Sequence, residues 1–170
     1  MHIGQICTRS VVTCTSGASA LELARLMRDR HVGDLIVVAE HEDGARPVGI
    51  VTDRDLVVLV VAKGVDPELL RAEDLVTGDV VTVAESDDVH AAIGAMRSKG
   101  VRRLPVVDAH RRLVGVLTAD DVARHLAAEL TGMASIAEQQ VEREYATREP
   151  VAHWQRSSSK GGVGKRASAG

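Results

Sequence analysis

The sequence predicts an α+β fold in which one β-α-β-β-α unit occurs twice, and three observations lead to this prediction. A pattern of apolar residues recurs 69 residues later in the chain. Within each copy, stripes with the period of a helix alternate with short apolar runs that are typical of buried strands. The 170 residues, of which 45% are hydrophobic and 26% charged, suffice for one compact domain or two small ones with a shared core.

The internal repeat comes first, because a duplication changes the meaning of every local pattern. Val-Val-Thr at residues 11–13 recurs at residues 80–82, and Leu-Ile-Val-Val at residues 35–38 aligns with Leu-Pro-Val-Val at residues 104–107. The segments that follow, Val-Gly-Ile-Val-Thr-Asp and Val-Gly-Val-Leu-Thr-Ala, are 66 residues apart. The shorter spacing indicates that the hairpin of the first copy is the longer one.

The first copy begins with a short strand and a helix. Ser19 and Glu22 have the spacing of a capping box, and the helix is predicted to extend to Gly33. Residues 35–39 and 48–51 are predicted strands joined by a polar hairpin, and a second helix follows them. The apolar face of the first helix comprises Ala20, Leu23, Ala24 and Met27.

The second copy repeats this order. Asp87 or Asp88 caps its first helix, Gly100 ends the helix, and residues 104–107 and 113–117 form the hairpin. One copy of about 60 residues buries too little apolar surface to be comfortably stable alone. We therefore expect the copies to pack sheet against sheet with pseudo-two-fold symmetry, and the cleft between them is the predicted site. The apolar face of this helix comprises Val89, Ala92, Ile93 and Met96.

The composition argues against several partners. Tyr145 and Trp154 are the only aromatic residues, so an aromatic platform for single-stranded nucleic acid is not expected. The net charge of -3 gives no field that would draw the protein to DNA or anionic lipid. The longest apolar run, residues 56–62, is far shorter than the roughly 20 residues that span a bilayer. We expect a cytoplasmic protein with no membrane and no specific nucleic acid as partner.

Catalytic and metal sites are not predicted. Cys7 and Cys14 could pair only with each other across a very short loop, so reduced thiols are expected. The seven histidines show no metal-ligand spacing, and no nucleophile with a base can be defended. The sequence therefore predicts neither an enzyme nor a metal protein.

The C-terminal part has a different composition. Residues 155–170 contain four cations and no acid, which predicts a disordered basic tail after a helical extension at residues 132–154. The Gly-rich segment at residues 160–166 imitates an ATPase phosphate loop. No apolar strand precedes it, and Arg166 occupies the place of the magnesium-binding hydroxyl, so it is assigned to the tail.

A family resemblance rests on three motifs. Gly-h-h-Thr-x-x-Asp, where h is apolar, occurs at residues 49–55 and 115–121; Leu-Pro-Val-Val-Asp occurs at residues 104–108; and a lead-in occurs at residues 74–80. Over roughly residues 3–130 the chain resembles a pair of cystathionine β-synthase (CBS) domains, or Bateman module. The resemblance implies tandem CBS repeats. The predicted domains are repeat 1 with its lead-in at 1–70, repeat 2 with its lead-in at 71–131, the extension and the tail.

The Thr-x-x-Asp pairs lie where a strand passes into a helix. Thr52 with Asp55, and Thr118 with Asp121, could simply cap those helices. The same geometry also suits a ligand, because a carboxylate can accept both hydroxyls of a ribose and a helix start attracts phosphate. In the proteins that this chain resembles, the Asp holds the ribose and the Thr lies beside it.

The resemblance also implies where the rest of an adenosine ligand lies. Its ring would contact the start of the partner copy, which adds Val12, Thr13, Val81 and Thr82. The first two would lie opposite Asp121 and the others opposite Asp55, although both valines could equally be core residues.

The chain also offers arginines for a phosphate. Arg102 and Arg103, just before Leu104 and Pro105, stand where the first copy has Gly33 and Asp34. Adjacent residues entering a strand point to opposite faces, so at most one guanidinium faces the cleft squarely; a solvated surface pair is the alternative. Because a carboxylate at position 34 repels phosphate, we expect the cleft of Thr118 and Asp121 to bind more tightly.

The function implied by the resemblance is regulation. A stand-alone CBS pair would bind AMP, ATP, NAD, S-adenosylmethionine or a related adenosyl ligand and report its level to a regulated protein. Such modules often form disc-shaped homodimers through the helices that follow Thr52 and Thr118. The run at residues 56–62, apolar all round, supports a buried helix at such an interface. The alternative is a ligand-free module that dimerises or serves as a scaffold.

Overall fold

The computed structural model describes residues 1–147 and divides the chain into two units, of which unit 1 is Met1–Ala128 and unit 2 begins at Glu129. Unit 1 holds both copies of the repeat. The first copy consists of β1 (Thr13–Thr15), α1 (Ala20–Arg30), β2 (Asp34–Ala39), β3 (Arg46–Thr52) and α2 (Asp53–Asp55), which continues through residues Leu56–Val61. The second copy follows a short α3 (Ala72–Leu75) and consists of β4 (Val83–Ala84), α4 (Val89–Lys99), β5 (Arg103–Val107), β6 (Leu113–Thr118) and α5 (Ala119–Thr147).

Each copy forms one three-stranded sheet. The order is β1-β2-β3 in the first sheet and β4-β5-β6 in the second, with the first pair of strands parallel and the second pair antiparallel. The register shifts between Val37 and Val38 in β2, and at the equivalent place between Val106 and Val107 in β5. The predicted α+β class and the duplicated β-α-β-β-α unit are therefore confirmed.

The first helices of the two copies end in the same way with different residues. Ser19 and Glu22 form the predicted capping box of α1, but the helix ends at Arg30, before the predicted Gly33. His31 adopts the left-handed conformation with φ of 54°, which Gly100 adopts at the end of α4 with φ of 65°. A helix commonly stops where such a residue turns the chain. Gly33 was therefore the wrong stop signal.

The start of α4 resolves the alternative that the sequence left open. Asp88 accepts hydrogen bonds from the backbone N–H groups of His90 and Ala91 at 2.7 and 3.4 Å, so it is the helix cap. Asp87 instead accepts a hydrogen bond from the N–H of Ala84.

The segment before each copy packs on the other copy. Ile3 and Gly4 donate backbone hydrogen bonds to Asp87 and Glu85, and Ile3 is fully buried in the apolar core of the second copy. Conversely, Ala72 donates to the carbonyl of Ala18, and it lies in the core of the first copy with Leu75. This reciprocal exchange joins the copies into one unit.

The second helices of the copies differ. After α2, the chain makes wider turns in which Ala62 N donates to Val57 O at 2.9 Å, an i→i+5 bond. Val60 is buried, while Val57, Val58 and Val61 are 57, 46 and 72% exposed in the single chain. Burial of this segment at an interface between two chains stays a prediction. The wider turns and the short length leave only one face on the core.

In the second copy, α5 extends to Thr147, so the described part of the predicted extension at residues 132–154 is helical. In unit 2 its apolar side chains Leu130, Met133 and Ile136 are exposed. The predicted tail at residues 155–170, with its Gly-rich segment at 160–166, lies outside the described residues. Within residues 1–147, no helix is long and apolar enough to cross a membrane.

Candidate ligand-binding cleft

The two motif glycines are required by the exchanged lead-in segments. A Cβ atom at Gly49 would overlap the Val76 side chain, and one at Gly115 would lie 2.9 Å from Sγ of Cys7. Val76 and Cys7 occupy equivalent positions in the two lead-ins. Each glycine therefore lets a side chain from outside its own copy pack directly on the strand that leads to Thr52 or Thr118. This packing fixes the wall from which the motif threonine and aspartate project.

Both Thr-x-x-Asp pairs form the same capping box. In the first copy, Oδ2 of Asp55 accepts hydrogen bonds from N and Oγ1 of Thr52 at 2.8 and 2.7 Å, and the N–H of Asp55 donates to Thr52 Oγ1 at 3.2 Å. The corresponding distances for Thr118 and Asp121 are 3.0, 2.6 and 3.1 Å. One carboxylate oxygen of each aspartate is thus committed to the cap, as the structural reading of the motif predicts.

The remaining carboxylate oxygens have different surroundings. Oδ1 of Asp121 accepts a hydrogen bond from Nη2 of Arg124 at 2.6 Å. Within residues 1–147, Oδ1 of Asp55 has no hydrogen-bond or ion-pair partner. Position 58, which corresponds to Arg124, holds a valine. Within residues 1–147, Oδ1 of Asp55 is therefore available to accept a hydrogen bond, whereas Oδ1 of Asp121 already accepts one from Arg124.

A cleft of about 650 Å³ opens beside Asp55. It brings together five of the predicted site residues: Thr52, Asp55, Val81, Arg102 and Arg103. Ile50, Val80 and Val101 add apolar surface, and Asp53, Arg54 and Asp79 add charge.

The other predicted residues lie elsewhere. Thr82 lines a separate, smaller cavity between the hairpins, and Pro105 is fully buried in β5. Val12 packs against the core of the first copy, and Thr13 pairs with Ile36 in the sheet. None of these four lines the cleft beside Asp55.

The arginines lie in a different cleft from the one that the sequence analysis assigned. They line the cleft of Thr52 and Asp55, whereas we had argued for tighter binding beside Thr118 and Asp121. Arg103 Nε binds Oδ1 of Asp34 at 2.8 Å, which joins the first residues of β5 and β2 across the two copies. Arg102 binds Asp120 at 3.3 Å in a highly exposed pair. The sequence suggested that Arg102 and Arg103 belong to the cleft of their own copy, but they contribute to the cleft of the other copy.

Burial raises the pKa of Asp34. The guanidinium of Arg103 acts in the opposite direction, and the carboxylate of Asp53 raises the pKa further. Because the net direction is upward, Arg103 offsets only part of the cost of burying the Asp34 charge. Sequence reasoning missed Asp34 as a partner of Arg103, although their equivalent positions at the starts of β2 and β5 were visible in the repeat.

The lead-in pairing differs between the Thr118 side and the Thr52 side. Thr8 and Val116 exchange two backbone hydrogen bonds of 2.9 Å, so the lead-in pairs with the strand that precedes Thr118. At the equivalent place in the first copy, no such pair joins Thr77 to Ile50 among the described residues. Both of these residues line the 650 Å³ cleft instead. The difference in lead-in pairing accompanies the open cleft on the Asp55 side.

Comparison with known proteins agrees with this architecture. An uncharacterized protein of Methanopyrus kandleri is 37% identical over 122 residues, which are 72% of this chain and 61% of that protein's length. Hypoxic response protein 1 of Mycobacterium tuberculosis is 34% identical over 116 residues, which are 68% of this chain and 78% of that protein.

A solved CBS domain pair in complex with 5'-methylthioadenosine and S-adenosyl-L-methionine is structurally similar. Its TM-score is 0.64 at 26% identity, and the match covers 76% of this chain and 98% of that one. The CBS domain family itself matches residues 3–62 and 72–128, which are the two copies of the repeat. The chain therefore belongs to the CBS domain family, as a tandem pair.

Proposed function

We propose that this CBS pair binds one adenine nucleotide or related adenosyl ligand in the cleft beside Asp55 and acts as a regulatory module without catalysis. The observation that carries the proposal is the free Oδ1 of Asp55 at the wall of an open cleft. Its other oxygen is fixed by the capping box, so the carboxylate is oriented before a ligand arrives. A carboxylate held in this way can accept hydrogen bonds from the vicinal hydroxyls of a ribose.

The two ends of such a ligand have matching surroundings in the cleft. Ile50, Val81 and Val101 provide an apolar surface for a purine ring. Arg54 and Arg102 provide guanidinium groups for a phosphate. The exposed pair of Arg102 with Asp120 is of a kind that contributes little stability, so Arg102 can exchange this partner at small cost.

The cleft beside Asp121 is the weaker candidate. The carboxylate of Asp121 is already bound by Arg124, and the residue of the first copy that corresponds to Arg103 is the acidic Asp34. We therefore revise the order of affinity that the sequence suggested and expect tighter binding beside Asp55. The complex of a similar CBS pair with two adenosyl ligands supports this ligand class.

Ligand binding would report through the relative position of the two copies. The cleft is lined by residues of β3 and α2 from the first copy and by residues 100–103 from the second. A ligand that contacts both copies favours the arrangement to which it binds more tightly, and its effect is limited by that difference in affinity. The regulated partner would respond to this arrangement or to the association of two chains.

Titration of matched variants tests the proposal. Asp55→Asn and Asp121→Asn make the same change in equivalent capping boxes. The loss of a charged acceptor costs about 1.5–3 kcal/mol, so the Kd of AMP or adenosine should rise by roughly 10- to 100-fold in Asp55→Asn. Asp121→Asn should stay within about two-fold of the wild type on the same scale.

Thermal melting without ligand provides the control for folding of both variants. Equal effects of the two substitutions on affinity would contradict the assignment to one cleft. Absence of any ligand-dependent shift in melting with AMP, ATP, NAD and S-adenosylmethionine would favour the ligand-free scaffold instead.

A further inference from the structure

A second cavity, distinct from the cleft, lies between the two β-hairpins of unit 1. Its volume is about 210 Å³, and its walls come from both copies. The hairpins are held together beside it by a hydrogen bond of 2.9 Å from Leu113 N to Ala45 O. Proline and valine side chains form its apolar wall, while its polar lining consists of His41, Arg46, Thr82 and Arg111.

The polar lining is rich in donors and contains no carboxylate. Arg46 donates from Nη2 to Asp43 at 2.9 Å, but its Nε–H is buried and has no acceptor among the described residues. A buried donor without a partner is costly, and native structures usually satisfy such a group with protein, water or an ion. The Nε–H of Arg46 is therefore a donor that an ion or a water molecule could satisfy.

Two carboxylates of the hairpins are already paired with arginines. Asp43 binds Arg46, and Asp108 binds Nε and Nη2 of Arg112 at 2.7 and 2.6 Å. These guanidinium hydrogen bonds lower the pKa of both aspartates. The side chain of Arg111 has no hydrogen-bond or ion-pair partner within residues 1–147, so its positive charge is not balanced by a direct contact.

The backbone at Arg111 adds an independent observation. Its φ of 64° lies in the left-handed region, where the hairpin of the first copy has Gly44 with φ of 128°. An arginine is less favourable than glycine in this conformation. Arg111 therefore carries a small conformational cost that glycine at the same position would not.

We propose that this cavity binds a small tetrahedral oxyanion, such as inorganic phosphate or sulfate. Arg46 Nε and the guanidinium of Arg111 would donate charge-assisted hydrogen bonds, and His41 and Thr82 would complete the set of donors. The site is independent of the adenosyl ligand proposed above. Because it joins both hairpins, an occupied site stabilises the contact between the two copies.

Thermal melting of the full chain in phosphate tests this site. At ten times the Kd, phosphate should raise the Tm by about 3–6 °C relative to sodium chloride of equal ionic strength. Arg111→Gly should remove this rise while remaining folded, because glycine suits the backbone at that position. Arg97→Ala removes an equal charge from the surface of α4, away from the cavity, and should retain the rise.

Two further variants separate this site from the cleft. His41→Ala should reduce the phosphate effect, whereas a variant with both Arg102→Gln and Arg103→Gln should keep it, because these residues line the cleft only. An equal rise in sodium chloride, or a full phosphate effect in Arg111→Gly, would overturn the proposal. Loss of the effect in the double glutamine variant would assign the anion to the cleft and would also overturn it.

Discussion

At the scale of single residues, the two copies carry opposite charges at one equivalent position. Asp34 begins β2 and Arg103 begins β5, and the two side chains bind each other at 2.8 Å. Arg103 lines the cleft beside Asp55, whereas Asp34 does not. An anionic ligand must therefore compete with Asp34 for the same guanidinium. This competition makes Asp34 a selector of ligand charge within the proposed function.

The first prediction concerns this selection. Asp34→Asn should lower the Kd of AMP by roughly 3- to 10-fold. In this variant the phosphate of AMP can bind Arg103 without first displacing the carboxylate of Asp34. The Kd of adenosine, which has no phosphate, should change by less than about two-fold. Isothermal titration of both ligands against wild type and variant measures the ratio of the two constants.

The reciprocal variant provides the control. Arg103→Gln should raise the Kd of AMP and leave the Kd of adenosine unchanged, so that the preference for AMP disappears. A parallel change in the Kd values of AMP and adenosine would instead mean that the pair of Arg103 and Asp34 affects the shape of the cleft and does not select ligand charge.

At the scale of elements, the lead-in before each copy packs on the strand that precedes the capped helix of the other copy. The segment around Val76 packs on Gly49 in β3, and the segment around Cys7 packs on Gly115 in β6. The glycine of the motif thus allows the lead-in to pack closely on the strand, while the threonine and aspartate of the motif form the helix cap. This division explains why Gly, Thr and Asp occur together in both copies.

The second prediction tests the role of this glycine. Gly49→Ala should destabilise the protein by about 1–3 kcal/mol, because the new methyl group overlaps a buried contact with Val76. Gly94→Ala, inside α4 with no neighbouring atom within 4 Å, should stabilise it by about 0.5–1 kcal/mol. Urea unfolding of the two variants measures the change in the free energy of unfolding, which should have opposite signs. Destabilisation of similar size in both variants would reject this role for Gly49.

Repeat, period and cap patterns predict most of these elements because they depend on local sequence. Ser19, Thr52 and Thr118 all cap as their spacing indicates. The stop of α1 at His31 was missed, because histidine carries no signal for the left-handed conformation that the fold imposes on it. The wider turns at residues 56–61 were missed for a similar reason, since their composition is that of an ordinary buried helix.

At the scale of the whole molecule, the duplication allows the two clefts to differ. Arg102 and Arg103 of the second copy line the cleft of Thr52 and Asp55, which belong to the first copy. Pairs such as Arg103 with Asp34, or Asp121 with Arg124, make the surroundings of the two motif aspartates different, and these pairs depend on tertiary contact. The sequence therefore does not predict which residues of one copy face the motif of the other.

The last prediction concerns association of two chains. Val57, Val58 and Val61 follow the α2 cap and are about half to three-quarters exposed in unit 1. In the wider turns of this segment, residues four or five apart lie on neighbouring positions of the helix surface, so 57 and 61 are adjacent there. Each valine that becomes buried contributes on the order of 1 kcal/mol. We propose that this face forms a homodimer, as the family resemblance suggests, with a mass of roughly twice the 18.1 kDa chain.

Sedimentation equilibrium of a lysine variant measures this association. Val57→Lys combined with Val61→Lys should shift the protein to a monomer with little loss of monomer stability, because both positions are exposed. Leu69→Lys changes an equally exposed apolar residue outside this helix, 74% exposed, and should remain a dimer. A monomeric wild type at tens of micromolar, or a double variant that still dimerises, would show that the exposed valines are not the contact between chains.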